Sequence, residues 1–133
     1  MNKKSKKILS EISAGELFDK ISILEIKLSK IKDKNSLEEI TKEYNVLKET
    51  LNTNIKIDEQ IQNLFEELKK TNLNLWVIED KIRFCEKNRD FGKDFIELAR
   101  GVYLSNDKRA KIKSEINDIL GSNIKEVKHY VNY

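Results

Sequence analysis

The side chains best suited to chemistry gather in one stretch of this sequence. Of its 26 basic residues only four are arginine, and Arg83, Arg89, Arg100 and Arg109 all fall between Trp76 and Arg109. Lysine is the default cation here, so clustered arginine marks positions that favour a planar, bidentate donor for a carboxylate or phosphate. The single tryptophan, Trp76, opens the stretch, and the single cysteine, Cys85, lies inside it. At helical spacing Trp76, Glu79, Arg83 and Glu86 share one face, with Asp80 adjacent, while Arg100, Tyr103 and Asp107 share a face of the following helix. If these helices pack antiparallel across the Asp90–Lys93 turn, the two faces meet near one end of a bundle. Such a cluster is either an ion-pair network that orients helices, with Glu79 and Arg83 at i,i+4, or a polar pocket for a small anionic ligand. Charge-rich helix faces are common, which ranks the network first.

Carboxylates offer a second chemistry. Glu16 and Asp19 form an E-x-x-D pair, and Glu79, Asp80 and Glu86 add acids on a later helix. Four helix-borne carboxylates, Glu16, Asp19, Glu79 and Asp80 being the set to consider, would hold Mg²⁺ for phosphate hydrolysis if they converged. All-α nucleotide pyrophosphohydrolases have this look, but their E-E-x-x-E half is not present in the right order. Glu16 also has a simpler role in a helix cap. Cys85 and His129 fall short of a zinc ligand set, and a lone histidine near the end of the sequence supports no nucleophilic triad. There is no glycine-rich phosphate loop. The reading is therefore of a non-enzymatic protein with no catalytic residue, cofactor or metal assigned.

The elements that must position these groups are helical. No proline occurs in 133 residues, and there are four glycines, a composition that suits long uninterrupted helices. Ser13 and Glu16 have capping-box spacing, with Ile12 and Leu17 placed as a staple. Leu17, Ile21, Leu24, Leu28 and Ile31 then make an apolar seam that Phe18, Ile23 and Ile26 widen, predicting a helix over 14–33. Ser36 and Glu39 suggest a second box before a helix over 37–53, its seam running Leu37, Ile40, Tyr44, Leu47 and Leu51. Asp58 can cap a third helix over 59–89, with Ile61, Leu64, Leu68, Thr71, Leu75, Ile78, Ile82 and Cys85 in unbroken register. Leu73, Val77 and Phe84 form a thinner stripe on another side. Asp94 and Glu97 are spaced as a cap for a fourth helix over 95–120. Ser105 and Arg109 interrupt its seam, which allows a kink near Ser105, and Gly121 fits its C-terminal stop. The expected architecture is an all-α bundle or long antiparallel helical hairpin with coiled-coil-like packing. The second apolar stripe suggests a homodimer.

The tails and the charge balance complete the expectation. Residues 1–11 read as a basic, flexible tail, and 122–133 as a segment that folds back on the bundle. The net charge of +3 comes from Lys3, Lys4, Lys6 and Lys7; without them 22 basic residues face 23 acidic ones. That balance disfavours nucleic acid as a partner. No stretch approaches the ~20 apolar residues of a membrane span, no signal-peptide apolar region is evident, and one cysteine suits a reducing compartment. A cytoplasmic protein is expected.

Several strings taken together resemble a bacterial family of unknown function. They are Gly15-Glu16-Leu17, Asp19-Lys20, Ile23 to Lys27, Leu75-Trp76, Ile78-Glu79-Asp80, Ile82-Arg83, Cys85-Glu86, Asp90-Phe91-Gly92, Phe95 to Arg100, Val102-Tyr103, Asn106-Asp107, Arg109-Ala110 and Gly121-Ser122. The resemblance spans nearly the whole chain beyond the tail and is weakest from the second helix to the start of the third. It implies no activity, ligand or catalytic residue. It does imply a small bacterial protein, marks the same Trp76–Arg109 stretch, and adds Lys20, Glu25 and Lys27 as polar positions of the first helix. Taken together, the sequence points to a binding or assembly module whose working surface is the Trp76–Arg109 end. A phosphate- or nucleotide-binding site, or a Mg²⁺-dependent hydrolase, is the alternative.

Overall fold

A computed structural model describes residues 6–133, so the part of the expected lysine tail at residues 1–5 lies outside the described residues. Among the described residues four helices form: α1 (Ala14–Lys30), α2 (Lys34–Asn54), α3 (Glu59–Lys87) and α4 (Lys93–Leu120).

The helix ends follow local chemistry, with several departures from the sequence expectation. Ser13 caps α1 by accepting from the Glu16 N–H at 3.2 Å, but the Glu16 carboxylate reaches Lys113 instead of closing the box. α1 stops at Lys30 because Asp33, three residues on, caps the next helix. The Asp33 carboxylate accepts from the Ser36 N–H at 2.9 Å and its hydroxyl at 2.7 Å. Those two bonds lower the Asp33 pKa, and Ser36 is thereby drawn inside α2 instead of capping it. Asp58 caps α3 as expected, accepting from the Ile61 N–H at 2.8 Å.

The α3–α4 turn is closed by backbone. The Arg89 N–H donates to Glu86 O and the Asp90 N–H to Cys85 O, the paired bonds of a Schellman stop. Arg89 occupies its left-handed position with φ 53°. α4 begins at Lys93, so Asp94 lies in the first turn, and Gly92 stands at the N-cap without a side-chain cap bond. No break occurs near Ser105. Its hydroxyl accepts from Asn74 of α3 at 3.3 Å, which seats the polar interruption within the helix pair. Gly121 ends α4 at φ 64°.

Packing divides the molecule in two. α3 and α4 lie against each other, and α1 packs on both as well as on α2. The buried core comprises Leu17, Phe18 and Ile21 of α1, Leu51 of α2, Ile61, Leu64 and Leu68 of α3, and Ile112 and Ile116 of α4. Full burial in α3 stops at Asn72, and in α4 it starts at Ile112. Beyond those points the two helices run on as an arm joined by half-buried Leu75, Ile78, Ile82, Cys85, Phe95, Leu98 and Val102. Gly101 lets the helices close: a Cβ there would sit 3.1 Å from Ile78 Cδ1. Leu73, Val77 and Phe84, the second stripe of α3, are exposed, as are Ile96 and Leu104 of α4. The segment after Gly121 returns alongside α4, with Glu126 at Lys113 and Tyr133 at Tyr103 and Asp107.

Candidate functional site

A buried carboxylate sits where α1 crosses α3 and α4. Asp19 is 1% exposed, flanked in sequence by the core residues Phe18 and Ile21, so the turn that buries them carries it inward. A carboxylate in that position requires compensating charge and hydrogen bonds. Arg109 provides a two-pronged partner, Nε to Oδ1 at 3.0 Å and Nη2 to Oδ2 at 2.6 Å. Lys113, one turn further along α4, stands 3.6 Å from Oδ2 and donates to Glu16 at 2.7 Å and Glu126 at 3.4 Å. Asn72 of α3 donates to Asp19 Oδ1 and to the Ser22 hydroxyl, both at 2.8 Å. The Ser22 hydroxyl in turn donates to the Asp19 backbone carbonyl. Asn106 accepts the third Arg109 bond, from Nη1 at 3.2 Å.

Electrostatics at this junction is a contest between burial and pairing. Burial alone would lower the pKa of Arg109 and of Lys113. The hydrogen bonds that Arg109 donates to Asp19 and Lys113 to Glu16, with the surrounding carboxylates, outweigh it, and both values rise. Both cations are thus held charged. Glu126 is lowered, first by Lys128 and then by Lys113.

Backbone contacts lock the same junction. The Gly15 N–H donates to the buried Asn117 side chain at 2.7 Å, and the Ala14 N–H to the Ser122 hydroxyl at 2.9 Å, so two free donors of the first turn of α1 are satisfied by the end of α4 and the residue just past its stop. A Cβ on Gly15 would lie 2.5 Å from Lys113 O. Only glycine permits that approach.

Next to this network, at the base of the arm, lies an open groove of about 490 Å³ lined in part by Asn72, Trp76, Glu79, Arg83, Asn106 and Arg109. Asp80 also borders it, so the structure brings five of the sequence-selected residues, Trp76, Glu79, Asp80, Arg83 and Arg109, to one place. Arg83 and Glu79 pair at 3.4 Å on the rim, largely in solvent, where such a pair is worth roughly 0.3–0.5 kcal/mol. Arg100, Tyr103 and Asp107 do not join them. Arg100 is exposed and bonds Glu97 at 3.1 Å, and its pKa is raised first by Tyr103 and then by Glu97. Tyr103 packs edge-on to Tyr133, whose hydroxyl bonds Asp107. Glu86 and Lys20 are exposed, while Glu25 accepts from Tyr44 of α2 at 3.0 Å and Lys69 of α3 at 2.9 Å.

The four acids considered for a metal are not gathered into one site. Glu16 and Asp19 converge on Lys113, and Glu79 pairs with Arg83; among the described residues no group of three or more histidine, cysteine or acidic side chains is placed to hold a metal ion. Sequence reasoning passed over Asn72, Lys113, Asn117 and Ser22, and named Asn106 only within a family string. The available signal was Arg109 itself: a charged residue at a seam position of α4 demands a buried partner. Among the described residues no helix is long and apolar enough to cross a membrane.

Comparison with known proteins gives the chain a family without a function. Residues 8–132 match a family of unknown function (DUF6165), and the chain belongs to it. No curated protein and no solved structure matches it.

Proposed function

We propose that this member of the DUF6165 family is a non-enzymatic bacterial binding and assembly module, cytoplasmic and homodimeric, whose working surface is the α3–α4 arm. The observation that carries this reading is the arm's uncovered apolar surface. α1 covers the helix pair only at its base, and past Asn72 the pair exposes Leu73, Val77 and Phe84 on α3, the last at 64%, with Ile96 and Leu104 on α4. An isolated two-helix arm buries one seam, and a second pair of helices against it buries the rest in coiled-coil fashion. Charge does not oppose self-association, because acidic and basic residues are nearly balanced on both helices.

Sedimentation equilibrium of the full chain tests the proposal. A dimer is expected, converted to monomer by Phe84→Glu, which places a charge in the apolar surface without touching the core. A monomer at every concentration, or a Phe84→Glu variant that stays dimeric, contradicts it. The Mg²⁺-hydrolase alternative lacks comparable support, since three of its four carboxylates, Glu16, Asp19 and Glu79, are paired with Lys113 or Arg83.

A further inference from the structure

The groove at the base of the arm is floored by polar groups whose orientation is fixed from behind. Asn72 is 6% exposed, and both its N–H bonds are committed, to Asp19 and Ser22. The ionised carboxylate only accepts, so the amide is held one way round. Its carbonyl oxygen accepts no hydrogen bond among the described residues, yet it is not among the sealed, unsatisfied atoms, so it keeps contact with solvent. Asn72 also lines the groove. Asn106 is the complementary case. Its oxygen accepts from Arg109, and its amide N–H groups donate to nothing among the described residues. The lining therefore combines an amide acceptor and free amide donors with the aromatic Trp76 and the apolar Ile23, Ile26 and Leu75.

Charge decides which ligand class fits. Arg109 is already neutralised by Asp19 in a two-pronged pair, and Arg83 is paired with Glu79. Asp80 adds a further negative charge at the edge. A phosphate or carboxylate would have to compete with bound carboxylates for both arginines. An uncharged ring faces no such competition, and it gains from stacking on an aromatic side chain and from edge hydrogen bonds. A groove of about 490 Å³ is within the usual range for small-molecule sites. We propose that this groove binds a flat, uncharged heterocycle with an amide-type donor–acceptor edge, of the nucleobase kind, stacked on Trp76 with its edge on Asn72 and Asn106. The site is complete within one chain and does not depend on the dimer.

Trp76 is the only tryptophan, so its emission reports directly on the groove. The experiment titrates the full chain with uridine and with adenosine, and separately with inorganic phosphate. At least one nucleoside should give a saturable change in emission, and phosphate none over the same concentration range. Asn106→Ala, checked for folding by circular dichroism, should weaken nucleoside binding about tenfold. Trp76→Leu, followed by calorimetry, should abolish it, and Arg100→Ala, outside the groove, should leave it unchanged. Saturation by phosphate alone, failure of both nucleosides to saturate, or undiminished binding by Trp76→Leu overturns the proposal. A monomer that binds nucleoside contradicts only the assembly reading, and a dimer that binds neither contradicts only this one.

Discussion

The base and the arm of this molecule are built from the same two helices and held together differently. At the base, α3 and α4 share an apolar core with α1 and α2, and a buried carboxylate bonds to both long helices at once. In the arm they are joined by one half-buried seam, with the C-terminal segment touching α4 through Tyr133 and apolar side chains left outside. The contrast teaches that helix length is not uniform structure. α3 spans 29 residues, about 43 Å at 1.5 Å per residue, but only its first half carries fully buried side chains, the second half being half-buried against α4. The second half is available for contact with something else.

The largest expected effect comes from removing the charge that ties the base together. Asp19→Ala leaves Arg109 and Lys113 partly buried without their shared partner, and should cost about 3–5 kcal/mol. Urea unfolding measures it, and a loss under 1 kcal/mol would mean that water replaces the carboxylate freely. Apolar truncation separates the two regions next. Leu68→Ala at the buried base should cost about 2–5 kcal/mol, while Ile82→Ala in the arm should fall below that range. Equal losses would show that the arm is as well covered as the base.

The intervening turn offers a gain. Arg89 holds a left-handed backbone at φ 53°, a conformation that suits glycine better. Arg89→Gly should raise stability by about 0.5–1 kcal/mol, and a destabilised variant would show that the arginine side chain has a role of its own. The smallest effect is at alkaline pH. The Lys113 pKa is raised above its ordinary 10.5 in the folded chain. Its contribution is therefore complete below the unfolded value and lost as pH rises through the folded one. Tyr44, raised first by burial and then by Glu25, loses its contribution in the same direction. Stability should decline above about pH 10.5, and less steeply in Lys113→Met. Identical slopes would remove Lys113 from the account.

Much of the scaffold was legible because it is local. Asp58, Gly121 and the seams of α1 and α3 depend on spacing within one helix, and each is where its spacing puts it. Asp33 shows the limit of that logic: the spacing put it at the end of α1 and gave the cap of α2 to Ser36, whereas its carboxylate caps α2 itself. The junction was only half legible. Arg109 stood out as a charge on an apolar seam, but its pairing with a residue 90 positions away depends on how α1 crosses the long helices. No spacing within a helix encodes that crossing. Gly15 is similar, since its need for close approach arises from α4.

Hydrogen exchange at two protein concentrations tests the central division most directly. If the base is scaffold and the arm is where copies meet, amides of Leu73–Lys87 and Lys93–Arg109 should gain protection as concentration rises. Those around Leu17–Ile21, Ile61–Leu68 and Ile112–Ile116 should not change. Protection that rises in the base, or stays constant throughout the arm, would contradict the account.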